Sequence, residues 1–175
     1  MSDLPEGTRA HRADAKRFER LRCAVLTVTD SRTVETDESG PLIRDRLTAR
    51  GHAITDHALL PNDEPQVRTH VTGWLAREDV DVILVTGGTG LGSRDRTIEA
   101  LQPLFEKEIP GFGELFRMLS FQEQVGTAAI LSRAVAGSAR GKLIVSLPGS
   151  RAAVELALER VLLVEMAHLM REIRR

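Results

Sequence analysis

The chain predicts an α/β fold on a mostly parallel sheet, and two observations carry that expectation. Apolar, β-branched runs at residues 23–28, at about 53–60 and at 82–86 alternate with stretches that keep helical spacing, which is the pattern of strands joined by right-handed crossovers. Each run also ends in a polar loop. In open parallel sheets ligands bind outside the carboxyl ends of the strands, so the loops around Asp30, Asp63 and residues 87–95 are expected on one edge of the sheet.

Taken in order, residues 1–20 are polar, with Asp3, Glu6, Arg9, Arg12, Asp14, Lys16 and Arg17 and little to bury. This reads as a mobile arm with one helical turn near Phe18 and Leu21, followed by a single domain over residues 21–175. The first strand ends in Thr29, Asp30, Ser31 and Arg32, and a polar loop through Asp37, Glu38 and Ser39 leads to a helix opening at Gly40 and Pro41. Proline is preorganised for the first helical turn; Leu42, Ile43 and Leu47 keep the spacing until Gly51 stops it. After the second strand and Pro61-Asn62-Asp63-Glu64-Pro65, Val67, Val71, Trp74 and Leu75 mark an amphipathic helix. Leu101, Leu104 and Phe105 suggest a short helix.

Four of the five phenylalanines fall between Phe105 and Phe121. The dense cluster Phe112, Leu115, Phe116, Met118, Leu119 and Phe121 reads either as core or, in part, as a subunit interface, where aromatics and methionine concentrate. Residues 134–137 and 143–147 are expected to pair as a hairpin through Ser138-Ala139-Arg140-Gly141. Pro148-Gly149-Ser150 then opens a long helix with Val154, Leu158, Val161, Leu162 and Val164 on its buried side. Ser150 is its N-cap, and the free N–H groups there make an anion site.

The informative stretch is the third strand together with the loop after it. Residues 82–86 read as a buried strand, and the next six residues contain four glycines. Glycine lets the backbone approach a ligand closely and expose consecutive N–H groups to a phosphate. Thr86, Thr89 and Ser93 add hydroxyls; Arg94 and Arg96 add positive charge. Asp95, between two arginines, is either a structural ion pair or a group placed to hold a metal ion or move a proton. The loop is no Walker A motif, because Ser93-Arg94 stands where Lys-Ser or Lys-Thr is required, and no G-x-G-x-x-G is present.

Composition excludes several classes. With 175 residues, a net charge of −1, 3% aromatics and no tyrosine, the chain has neither the stacking platforms nor the basic stripe of a single-stranded nucleic-acid binder. Cys23 is the only cysteine; it lies in an apolar strand and reads as a buried, inert thiol. No run is suited to crossing a membrane and the N-terminus is not signal-like, so a cytoplasmic location is expected. No G-x-S-x-G or H-E-x-x-H occurs, and His11, His52, His57, His70 and His168 lack helical metal-site spacing. Carboxylates on strand-end loops, two anion sites and nearby arginines suit phosphoryl or nucleotidyl transfer, in which carboxylates hold Mg²⁺ and amides neutralise phosphate charge.

The motifs Thr86-Gly87-Gly88-Thr89-Gly90 with Arg94-Asp95-Arg96-Thr97, Pro110-Gly111-Phe112-Gly113-Glu114 with Phe116-Arg117, Ser132-Arg133-Ala134 with Gly137, and Leu147-Pro148-Gly149-Ser150 resemble the ordered motifs of the MoaB/MogA family of molybdenum cofactor biosynthesis. Asp30-Ser31 and Ser39-Gly40-Pro41 fit its N-terminal motifs, and the stretch from Phe112 to Phe121 is similar to the MoaB branch. Ile98 departs from the pattern, since many relatives have proline there. The resemblance implies a three-layer α/β/α sandwich, a homo-trimer or hexamer, and a molybdopterin adenylyltransferase using ATP and Mg²⁺ and releasing pyrophosphate. It also implies that Asp63 and Asp95 are catalytic and hold the metal, that Thr86, Gly87, Gly88, Thr89, Gly90 and Arg94 meet the nucleotide phosphates, and that Asp30, Ser31, Pro148, Gly149 and Ser150 contact the pterin. Other enzymes of the same biosynthesis are possible partners. A non-catalytic molybdopterin-binding or scaffold protein and, more distantly, an unrelated nucleotide-binding regulator remain the alternatives.

Overall fold

The computed structural model describes residues 20–175. The expected arm, apart from Arg20, and the turn near Phe18 lie outside the described residues; Leu21 is buried at the entry to the first strand. Six strands form one sheet: β1 (Arg22–Val28), β2 (Ala53–Leu60), β3 (Val82–Thr86), β4 (Lys107–Glu108), β5 (Val135–Ala139) and β6 (Lys142–Leu147), in the order β2-β1-β3-β6-β5-β4. β2, β1, β3 and β6 are mutually parallel, and β5 and β4 complete the sheet in antiparallel pairings. The helices are α1 (Ser39–Ala49), α2 (Glu64–Ala76), α3 (Thr97–Leu101), α4 (Pro110–Ser120), α5 (Arg151–Ala157) and α6 (Leu163–Ile173).

Strand alternation divides the core into two halves. Cys23 and Val25 of β1, with Leu84 and Val145, pack on α1, α4, α5 and α6 through Ile43, Leu47, Phe116, Val154 and Met166. Ala24, Leu26 and Val28, with Ile83, Val85 and Ile144, pack on α2 and α3 through Val71, Trp74 and Leu101. Helices therefore cover both faces, giving the three-layer α/β/α sandwich, and a strand covered on both sides such as β3 is apolar from Val82 to Val85. Burying one such large side chain contributes roughly 1.5–3 kcal/mol. Cys23 has no exposed surface, and burial pushes its thiol up to about 12, which leaves it protonated and inert.

The hairpin forms between β5 and β6. Its turn is the two residues Arg140 and Gly141, at φ 50° and 71°, and positive φ at both positions matches the twist of the flanking strands. β4 has no counterpart in the expected strands. It is two exposed charged residues on the sheet edge, without an apolar pattern to announce it. The short helix is α3, followed by a tight 3₁₀ turn at Gln102–Leu104.

One burial expectation is corrected. After Ser150, Val154, Leu158, Val161 and Leu162 are buried as expected, but Val164 is 56% exposed. A π-helical turn at Leu158–Leu162 separates α5 from α6. The wider turn rotates the next helical face, so Met166 and Met170 take the inward positions instead. The phenylalanine cluster divides between its two readings. Phe112 and Phe116 stack at 6.4 Å in the core, while Leu115, Met118 and Phe121 face outward.

At the amino ends of the parallel strands, the buried Asp81 carboxylate accepts from the Arg22 backbone N–H and guanidinium and from Arg174. Burial works to raise its pKa, but these hydrogen bonds outweigh it and hold the carboxyl well below the usual range. Lys142 donates to the carbonyls of Arg77 and Val80. This end is stapled shut; the opposite end is open.

Candidate active site

The open end holds a cavity of about 840 Å³ at the carboxyl ends of β1, β3 and β6, a size suited to a drug-sized or larger ligand. From β1 the chain goes to β2 on one side, then returns across to β3 on the other. The loops after β1 and β3 therefore separate and leave a crevice, the position at which parallel sheets bind ligands. Asp30 and Ser31 follow β1, Asn62 follows β2, Thr86 ends β3 and Gly87 to Gly90 and Asp95 follow it, and Pro148, Gly149 and Ser150 follow β6; all line the wall.

The glycine-rich loop is shaped by its neighbours. Gly87 has φ 93°, and a Cβ there would overlap the Val28 carbonyl oxygen, so only glycine lets the end of β3 lie against the end of β1. Its N–H donates to the Leu147 carbonyl at 3.1 Å. The N–H groups of Gly88, Thr89 and Gly90 have no acceptor among the described residues, which leaves three donors for an anion. Thr86 is fully buried, and its hydroxyl donates to the Pro148 carbonyl at 3.0 Å. It ties the two ligand loops together and is not itself a free donor. Ser39 adds a second tie, its hydroxyl donating to the Gly149 carbonyl at 2.9 Å. Ser150 caps α5 by accepting from the Ala153 N–H at 3.3 Å.

The carboxylates differ in how they are engaged. Asp95 lines the cavity, and one of its oxygens accepts from the Gly92 N–H at 3.1 Å. Neither neighbouring arginine turns to it: Arg94 pairs with Asp30 at 2.8 Å and Arg96 with Glu64 at 2.7 Å. Asp63 is the N-cap of α2, accepting from the Gln66 N–H at 2.9 Å, and does not line the cavity; Asn62 beside it does. Asp30 is held below the usual carboxylate range by the Asn62 backbone N–H, with Arg94 adding to the effect. Arg94 lies at the rim, with its side chain 73% exposed, and reaches the wall only through Asp30.

The pattern of the "Probable molybdopterin binding domain" matches residues 24–168. Molybdenum cofactor biosynthesis protein B of Halalkalibacterium halodurans is 49% identical over 163 residues, covering 93% of this chain and 95% of that protein. The protein of the same name from Bacillus subtilis is 46% identical over 155 residues, 89% of this chain and 91% of that protein. A solved molybdenum cofactor biosynthesis protein B superposes with a TM-score of 0.86 at 44% identity, over 89% of this chain and 97% of that one. The tungsten cofactor synthesizing protein MoaB from Pyrococcus furiosus superposes at 0.81 with 36% identity, over 89% and 98%.

The chain belongs to the molybdopterin-binding domain family. Within it, these named relatives are of the MoaB kind. Three of the family motifs meet at this cavity, the glycine-rich loop, the Asp30-Ser31 pair and the 148–150 turn, while Asp63 and Arg94 stand behind or beside the wall and Pro110, Gly113, Glu114 and Arg117 line a separate, smaller pocket.

Three residues that build this site were given no role on sequence grounds. Asp37, 7% exposed, accepts from the Thr27 hydroxyl at 2.7 Å and from the N–H groups of Ser39 and Gly40 at 3.0 and 3.1 Å. It fixes the start of α1 against β1 and forms part of the wall. Asn62 donates its N–H to Asp30 at 2.9 Å. Arg133 braces the glycine-rich loop from outside the cavity. Asp37 and Arg133 sit in or beside the family motifs, a signal of position but not of partner; Asn62 carried no signal beyond its place in a polar turn.

Proposed function

We propose that this protein, which serves molybdenum cofactor biosynthesis as its family does, binds molybdopterin in the cavity and adenylylates it with Mg-ATP. The observation that carries the reading is the meeting, in one cavity, of the Gly88, Thr89 and Gly90 amides, which have no acceptor among the described residues, the Asp95 carboxylate and the 148–150 turn. Amides and a carboxylate at one place fit a polyphosphate with its metal ion better than a bare anion, which the carboxylate would repel.

The residues fit Mg²⁺ in a limited way. Among the described residues no three His, Cys, Asp or Glu side chains form a metal cluster. Mg²⁺, however, is commonly held by one or two carboxylates with substrate phosphates and water completing its shell. Asp95 has one oxygen engaged by Gly92 and no hydrogen-bond partner on the other among the described residues, so it would hold the ion at the phosphates. The metal would supply charge neutralisation as pyrophosphate leaves.

The chain's own part is positioning. Gly88, Thr89 and Gly90 donate to nucleotide phosphate oxygens, with Arg94 at the rim adding positive charge. Pro148, Gly149 and Ser150, with Asp30 and Ser31 opposite, hold the pterin so that one of its phosphate oxygens faces the α-phosphorus of ATP. That oxygen forms the new P–O bond as the bond to pyrophosphate breaks. Asp63, off the wall, would act through the ion or through the helix it caps. A cytoplasmic location goes with ATP as the second substrate, and a homo-trimer or hexamer with the outward apolar face of α4.

A second reading, a binding protein that hands molybdopterin to another enzyme of the biosynthesis, draws on the placement of Asp63 as a helix cap outside the wall. Incubating the protein with molybdopterin and Mg-ATP and looking for the adenylylated pterin separates the two. Tight binding of molybdopterin with no product and no pyrophosphate would establish the binding protein and end the enzyme reading.

A further inference from the structure

The glycine-rich loop has a weakness as a catalytic element. Four of its residues from Gly87 to Gly92 are glycine, and glycine has more conformational freedom to lose than any other residue. Residues 90–94 are exposed, so core packing does not hold them. Yet Asp95 and the amides of Gly88 to Gly90 must keep a fixed spacing if they are to act on one polyphosphate.

Arg133, in the connection before β5, supplies the tie. Its Nε donates to the Thr89 carbonyl at 2.9 Å and its Nη2 to the Asp95 carbonyl at 3.0 Å. Its Nη1 donates to the Glu99 carboxylate at 2.7 Å. One rigid plane thus bridges the amide end and the carboxylate end of the loop. Glu99, four residues beyond Asp95 on α3, fixes the orientation of that plane. Its own backbone carbonyl accepts from Arg68 at 3.0 Å. Arg133 is half-buried and does not line the cavity. A lysine ammonium is a compact point charge without a planar fork, so it cannot reproduce the three-way geometry.

We propose that Arg133, oriented by Glu99, is a positioning residue: it sets the distance between Asp95 and the Gly88–Gly90 amides and so governs transfer without touching substrate. The inference rests on the nucleotidyl-transfer reading for its effect on rate, and on the structure alone for its effect on the loop.

The test uses the full chain as wild type, Arg133→Lys, Arg133→Ala and Glu99→Gln, with amide hydrogen exchange and single-turnover AMP transfer measured on each. Arg133→Ala should speed exchange at residues 88–96 while leaving β1, β3 and β6 protected. It should lower the transfer rate by about a hundredfold, the order of loss for a misplacement of about 1 Å. It should also raise the Mg²⁺ concentration needed for half-maximal rate, with the KM for molybdopterin unchanged. Arg133→Lys should recover little, and Glu99→Gln should fall between.

Unchanged exchange in the loop, or transfer and Mg²⁺ dependence equal to wild type, would overturn the proposal. If Arg133→Ala does not fold, Arg133→Lys and Glu99→Gln decide it by the same measurements. If wild type makes no adenylylated pterin, the transfer reading fails. The exchange pattern then decides whether Arg133 sets the loop.

Discussion

At the residue scale, the useful distinction is between a carboxylate that holds structure and one that faces ligand. Asp63 and Asp95 both accept a local backbone N–H, from Gln66 and Gly92, but only Asp95 lies in the cavity wall. Asparagine caps a helix about as well as aspartate, so Asp63→Asn should leave the melting temperature nearly unchanged and isolates the effect of charge. We expect Asp95→Asn to lower single-turnover AMP transfer by two to three orders of magnitude, as for removal of an electrostatic contact that matters most in the transition state, roughly 3–4 kcal/mol. Molybdopterin binding should survive. Transfer at the wild-type rate in Asp95→Asn would remove it from the chemistry, and a fall in Asp63→Asn at unchanged stability would bring Asp63 into it. Ser150 offers a parallel separation. Ser150→Ala loses the cap to Ala153, at a cost of about 1 kcal/mol. Ser150→Asp keeps the cap and sets a negative charge beside the ligand, so it should weaken molybdopterin binding severalfold without lowering thermal stability. Undiminished affinity in Ser150→Asp would place the pterin elsewhere.

The same residues show what could be read from the chain. Asp30, Asp95, the glycines of the loop and the 148–150 turn were legible because each sits at a fixed step after a buried strand, and topology then carries them to one edge. Asp37, Asn62 and Arg133 were not. Their importance lies in partners 10, 32 and 44 positions away, respectively Thr27, Asp30 and Thr89, and nothing in local spacing encodes a hydrogen bond across that distance. Thr86 was legible as a polar residue at a strand end, but its hydroxyl is spent on Pro148, a pairing that only the parallel register of β3 with β6 brings about.

At the scale of elements, β2 carries a pH dependence into the site. His57, on β2, is pushed below its ordinary pKa by burial, with the Arg44 guanidinium from α1 adding to this, while Asp37 and Asp56 pull the other way. Its Nε2 is buried without a hydrogen bond among the described residues, 3.9 Å from the Asp37 carboxylate. His52 is likewise lowered, by burial and then by Arg50, and its Nδ1 accepts from the Leu21 N–H at 3.2 Å. For both groups the folded pKa lies below the unfolded one. Between the two values the unfolded chain binds protons that the native chain does not, so stability rises with pH there. The contribution is complete above about 6.5, the ordinary histidine value, and is lost as pH falls from there through the folded value. His57→Gln should flatten the slope of melting temperature against pH on the acid side of about 6.5. A slope equal to that of wild type would show that His57 does not titrate in this window. The elements themselves were legible wherever burial has a period. The buried strands and α2 follow from theirs, whereas β4 is too short to have one and the π turn before α6 alters one partway.

For the whole molecule, the outward side of α4 and the turns after it carry the expectation of a homo-oligomer. Met118, Phe121, Val125, Ile130 and Leu131 are 49%, 54%, 51%, 84% and 58% exposed, and they follow one another along the chain from α4 through the two turns after it, the rim of this side. Monomeric proteins seldom leave so much large apolar surface uncovered in one place, and a closed homo-oligomer is the common way to cover it. The expected outcome is a homo-trimer, or a hexamer built from two, in light scattering at micromolar concentration. Phe121→Glu with Met118→Glu, both on the exposed side, should dissociate it while leaving the melting temperature of the protomer nearly unchanged. Val125 and Leu131 belong both to this rim and to the cavity wall. A partner that covers the rim therefore also changes the surroundings of the ligand, and the linkage is reciprocal: whatever assembly adds to affinity, ligand adds to assembly. The Glu double variant should thus bind molybdopterin more weakly than wild type although it replaces no residue of the wall. Wild-type protein that stays monomeric would refute the assembly, and a dissociated variant with wild-type affinity would show that the rim and the cavity act independently.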